Sequence, residues 1–116
     1  MRTPVQCLYW KQPELAFGSP MVEKFRVVER LLYDEHWRRY LLTCKECGQR
    51  YFYEFYEEVD WSRGEDAQRV TLIPVETEDE TETVKRTPPS ELHRFSPRLE
   101  RTFPSDAERP ATRWIA

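Results

Sequence analysis

The chain has 116 residues, 18 basic and 21 acidic side chains and a formal net charge of −3; 34% of its residues are charged and 14% aromatic. That length allows one domain at most, and the acidic balance lacks the basic excess that marks a nucleic-acid-binding surface. No stretch approaches the ~18 apolar residues of a membrane-spanning helix, and the first residues (Met1, Arg2, Pro4, Gln6, Lys11, Gln12) have no apolar run of the kind a secretory leader needs.

Residues 1–24 are punctuated by Pro4, Pro13 and Pro20, with a turn signal at Gly18-Ser19-Pro20; residues 5–10 suggest a short strand. From Phe25 to Tyr33 the pattern is ambiguous. Phe25, Val28 and Leu32 fit a helical face, whereas Phe25, Val27, Leu31 and Tyr33 fit a strand, and we favour the strand. Asp34-Glu35-His36 makes a turn. Residues 37–43 and 50–59 then read as two strands dense in the aromatic side chains that suit a pleated, half-buried surface. If they pair symmetrically about the turn between them, Tyr40 and Leu42 share a face with Tyr51, Tyr53 and Phe55. Arg39 and Glu54 then meet on the other face, where opposed charges add roughly 0.2–1 kcal/mol. Residues 61–66 read as a loop and residues 69–75 as a further strand, with Pro74 at its end or on an edge.

Beyond residue 75 the composition changes. Residues 76–116 hold five of the nine prolines, and residues 76–83 carry five acids and no base. We expect a compact part over residues 1–75, an acidic solvated spacer at 76–83, and a largely irregular, flexible tail to residue 116. Ser90-Glu91-Leu92-His93 is long enough to cap one helical turn. Trp114 and Ile115 near the end either fold back on the aromatic sheet or form a short partner-binding peptide, and we favour the second. The fold class expected is mainly β: a small antiparallel sheet.

The motif that carries chemistry is Cys44-Lys45-Glu46-Cys47-Gly48, between the two aromatic strands. Two cysteines three apart form a tight turn in which both sulfurs can face one ion, and glycine after the second allows a positive φ. A core this small often gains a metal or a disulfide, and three cysteines without an export signal fit a reducing cytoplasm better than a disulfide scaffold. The turn resembles one half of a zinc ribbon, or a rubredoxin-type knuckle, over residues 37–60, and is similar to small uncharacterised bacterial proteins in which a CxxCG knuckle precedes a Tyr/Phe/Glu-rich strand. The resemblance implies a structural zinc ion. A full ribbon has a second pair, and its counterpart here is Cys7-Leu8-Tyr9-Trp10, with tryptophan at the second ligand position. Either Cys7, Cys44 and Cys47 bind zinc with His93 or His36 as fourth ligand, or the metal has been replaced by packing that includes Trp10. His36 lies at the far end of a strand, about 25 Å from Cys44 at ~3.3 Å per residue, which disfavours it. A thioredoxin-like redox pair would need a helix after the cysteines, and an aromatic strand follows instead. The two cysteines are otherwise small buried residues at a turn.

No catalytic constellation is evident. Glu54, Glu57, Glu58 and Asp60 read as solvated strand charges, and two histidines leave little for a hydrolase triad. The function expected is a non-catalytic protein-binding module (an adaptor, accessory subunit or immunity-type inhibitor). A nucleic-acid-associated zinc ribbon is the alternative, and it would show as a basic stripe from Arg38 and Arg39 to Lys45 and Arg50.

Overall fold

Six strands form one antiparallel sheet in a computed structural model that describes residues 1–17, 20–58, 67–103 and 110–116. In chain order the elements are helix α1 (Leu8–Lys11), a 3₁₀ turn (Pro13–Ala16), α2 (Met21–Lys24), β1 (Phe25–Tyr33), β2 (Trp37–Cys44), β3 (Arg50–Glu58), β4 (Ala67–Pro74), α3 (Glu78–Lys85), a second 3₁₀ segment (Pro89–Arg94), β5 (Arg98–Phe103) and β6 (Ala111–Ile115). The spatial order of the strands is their order in the chain. The expected features at Gly18, Ser19, Val59 and Asp60, the loop at residues 61–66, and Pro104 lie outside the described residues.

The β2–β3 register is the symmetric one: Tyr40 stands opposite Tyr53, Leu42 opposite Tyr51, and Arg39 opposite Glu54. Side chains alternate across a strand, so this register sorts the core onto two faces. On one, Phe25, Tyr40, Leu42, Tyr51, Leu72 and Leu99 are covered by Cys7, Tyr9 and Ala16 of the N-terminal segment. On the other, Leu41, Phe52 and Ile73 are covered by Val84 of α3 and by Leu92. The Tyr40 and Tyr53 rings stack at 5.4 Å between centroids and 9° between planes.

The ambiguous period of β1 has a structural cause. Its pairing with β2 shifts between Val27 and Glu29 and again between Arg30 and Leu32. Each extra residue resets the alternation, so Val27 packs with one core cluster, Leu31 with the other, and Val28 is exposed.

Three expectations are corrected. Residues 5–10 form no strand: Cys7 is extended, its N–H bonds to the Pro4 carbonyl, and the chain then coils into α1. The acidic run is not a spacer, because Glu78–Lys85 is a helix. Thr77 accepts from the Glu80 N–H while the Glu80 carboxylate accepts from the Thr77 N–H, closing a capping box. Glu78, Asp79 and Glu80 fall in the first turn, where the helix dipole favours negative charge, and Val84 is fully buried. Nor is the C-terminal segment irregular. β5 pairs with β4 from Gln68 to Leu72, and β6 pairs with β5. The prolines are accommodated because they fall outside the strands: Pro97 precedes β5 and Pro110 precedes β6. Trp114 is therefore not a free docking peptide. Its indole N–H donates to the Tyr9 carbonyl at 2.8 Å and its ring lies 5.0 Å from that of Trp10, while Ile115 pairs with Arg98.

Candidate metal centre

The β2–β3 connection is a tight knuckle. The Cys44 N–H bonds to the Gln49 carbonyl at 2.8 Å and the Gly48 N–H to the Cys44 carbonyl at 2.9 Å. Gly48 has φ of 80°, the left-handed region that glycine enters without steric cost. The turn is tied to the α2–β1 junction by the Lys45 N–H on the Lys24 carbonyl at 3.0 Å.

Inside this frame the sulfurs of Cys7, Cys44 and Cys47 all lie within 4.8 Å of one another. Two thiolates on one tetrahedral zinc with ~2.3 Å bonds stand about 3.8 Å apart, so a small inward movement brings all three onto one ion. Cys7 and Cys44 are buried and Cys47 is exposed, and none is in a disulfide. The surroundings of the sulfurs partly favour thiolates: the backbone N–H groups of Cys47 and Glu46 act to lower the Cys44 pKa, and that of Tyr9 the Cys7 pKa. Burial acts against ionisation. It pushes the Cys7 thiol up to about 12 and raises Cys44 as well, because a thiolate in an apolar pocket loses its hydration. A bound cation reverses that balance, since thiolate rather than thiol is the metal ligand. The donor set therefore fits a soft or borderline cation such as zinc.

A tetrahedral site needs a fourth donor, and neither histidine joins the cluster. His36 is held beyond the opposite end of β2 by Glu57, Nδ1 to Oε1 at 2.6 Å. His93 bonds through Nδ1 to the Ser90 carbonyl, in the 3₁₀ segment whose Leu92 packs on the other face of the sheet.

Among the carboxylates Glu58 is exposed as expected, but Glu54, and with it Arg39, differs from expectation. Glu54 is not a solvated strand charge: it is fully buried, with Arg39 Nη2 at 2.7 Å, Arg39 Nε at 2.8 Å and Trp37 Nε1 at 3.1 Å from Oε2. Arg39 is withdrawn with it, so a basic stripe from Arg38 and Arg39 to Arg50 is broken. Arg38 lies over the Tyr33 and Phe55 rings, and the Lys45 ammonium is bonded to the Val22 carbonyl.

One residue beside the sulfurs has no signal in the sequence. Tyr51 occupies the inward position that the strand period gives it, but its hydroxyl is buried without a hydrogen-bond partner, and the Cys7 sulfur is the neighbour it acts upon. No protein-family model matches the chain, and no curated protein or solved structure is similar enough to it to count as a match.

Proposed function

We propose that the chain is a small non-catalytic protein-binding module, an adaptor, accessory subunit or immunity-type inhibitor of a reducing cytoplasm, whose N-terminal layer is fastened by structural zinc. The observation that carries the metal part is the meeting of Cys7 with Cys44 and Cys47, two distant pieces of chain whose sulfurs share one 4.8 Å neighbourhood. Zinc would be held there by these three thiolates. It would supply no reaction; it would neutralise buried charge and join the N-terminal segment to the β2–β3 turn.

Protein binding is favoured by the surface. Edge strand β1 presents exposed Val28 and Tyr33 beside unpaired backbone, the arrangement a partner strand can extend. The pairing of Arg39 with Glu54 removes a central cation from any stripe that would follow a phosphate backbone.

Metal analysis of reduced protein should give about one zinc per chain, lost in Cys44→Ser. Fluorescence anisotropy with single-stranded and duplex oligonucleotides at physiological salt should show no saturable binding. Metal-free protein of unchanged stability in zinc would reject the structural ion, and tight salt-dependent oligonucleotide binding would favour the nucleic-acid alternative.

A further inference from the structure

The buried Tyr51 hydroxyl is unexplained by packing. Tyr51 is fully buried, stands opposite Leu42 and Pro74 in the sheet, and has the Phe25 ring edge-on at 6.0 Å and 86°. Those contacts fix the ring, and phenylalanine would make them equally well. The hydroxyl oxygen itself has no hydrogen-bond partner. A buried hydroxyl in that state is destabilising, so its retention needs a partner present in another state of the molecule.

The neighbouring cysteine supplies that state. Cys7, Cys44 and Tyr51 belong to one core cluster, and the Tyr51 hydroxyl and the Cys7 sulfur are near enough to influence each other's ionisation, although no hydrogen bond joins them with the thiol neutral. A neutral thiol is a weak acceptor, whereas a thiolate takes a strong, charge-assisted bond. The orphaned hydroxyl is thus matched to Cys7 in its ionised, metal-bound form.

We propose that Tyr51 is a positioning residue for the metal, its hydroxyl donating to the Cys7 thiolate from outside the coordination shell. The inference rests on the zinc reading above. Outer partners of this kind orient the ligand and offset its charge, and their loss commonly weakens metal binding ~10–100-fold. The hydroxyl also distinguishes the two forms of the protein: it is a liability without metal and an asset with it.

The test is Tyr51→Phe, which deletes one oxygen and leaves the ring. Zinc affinity is measured by competition with a chromophoric chelator, and the unfolding midpoint of metal-free reduced protein is measured in parallel. We expect zinc affinity to fall ~10–100-fold while the metal-free midpoint stays level or rises. In a Cys7→Ser background the same change should leave residual zinc affinity unaltered, because the acceptor thiolate is gone. Wild-type zinc affinity in Tyr51→Phe overturns the proposal. So does a lower metal-free midpoint, which would make Tyr51 a packing residue, or an equal loss in the Cys7→Ser background. Failure of the unsubstituted protein to bind zinc overturns the metal reading itself, and with it the role of Tyr51.

Discussion

Replacing Arg39 by methionine should be among the most damaging single changes to the sheet. Methionine keeps an apolar stem between the Trp37 and Phe52 rings, which the Arg39 guanidinium approaches at 5.0 and 5.3 Å, but removes every donor. Arg39 contacts Glu54 Oε2 at 2.7 and 2.8 Å, and it also donates to the Lys85 carbonyl at 3.2 Å and the Thr87 carbonyl at 2.7 Å, at the C-terminal end of α3. After substitution the buried Glu54 carboxylate keeps the Trp37 N–H at 3.1 Å and Arg69 at 3.7 Å. Breaking a buried pair from one side costs about 3–5 kcal/mol, because it strands a charge. At roughly 0.05–0.15 kcal/mol per residue, that is a large share of what a chain this size possesses. Urea unfolding followed by tryptophan fluorescence, with a slope of about 1–3 kcal/mol per molar, should show the midpoint falling by about 2 M. The double variant Arg39→Met, Glu54→Leu should recover much of the loss, since the one charge left without its partner, Arg69, is partly exposed to solvent. A single-variant loss below about 1 kcal/mol would place the pair among solvated surface bridges and refute the argument. A double variant weaker than the single would refute it equally.

Truncation after Val75 should abolish cooperative unfolding and leave insoluble protein, because it removes α3, β5 and β6 and uncovers Leu72, Ile73 and Leu42; a soluble fragment with native-like circular dichroism would contradict the assignment of that segment to the core. Gly48→Ala should cost about 1–2 kcal/mol through its left-handed backbone, since an added Cβ there meets nothing within 4 Å, and a silent substitution would mean that the knuckle has another conformation. His36 should titrate above its ordinary 6.5 through its hydrogen bond to Glu57, whose own pKa is lowered from 4.5 by bonds from Gln68 and His36. The His36 contribution to stability is full below 6.5 and is lost as pH rises through the folded value. That of Glu57 is present above 4.5 and is lost as pH falls through its lowered one. An NMR titration that finds His36 at or below 6.5, or unmoved by Glu57→Gln, would show that the pair does not form in solution.

The central hairpin is legible in the sequence because three local signals agree there: aromatic alternation, a turn of fixed length and a glycine where φ is positive. They yield the β2–β3 register and the Arg39–Glu54 pairing, but not the burial of that pair. Burial depends on α3 arriving over the face from some forty residues downstream, as the Arg39–Lys85 separation of 46 shows. α3 does carry a local signal, Thr77 three residues before Glu80, which the density of like charge outweighs in a reading by composition. The dipole and the cap decide otherwise, together with the Met1 ammonium 3.3 Å from Glu80. β5 and β6 are short and flanked by prolines; the strand character of β5 comes from the pairing edge that β4 offers, and that of β6 from the edge of β5. At the candidate metal site the CxxCG spacing announces two of the three clustered sulfurs, and the third, Cys7, follows from the ribbon likeness. The histidines fail because their places are set by the far end of β2 and the far face of the sheet.

The strand order gives assembly a direction. Every ladder joins chain neighbours, so the sheet can grow by successive local closures, of which only the β4–β5 connection, carrying α3 and the second 3₁₀ segment, is long. The layer over Cys44 and Tyr51 has no such advantage: the bond from the Trp114 indole to the Tyr9 carbonyl spans 105 residues and joins the first helix to the final strand. That clasp forms late, and its release is an inexpensive opening motion. Hydrogen exchange should therefore run from the chain ends inward, with the amides of α1 and β6 exchanging before those of β2 and β3. Cys7 travels with the layer that lifts first.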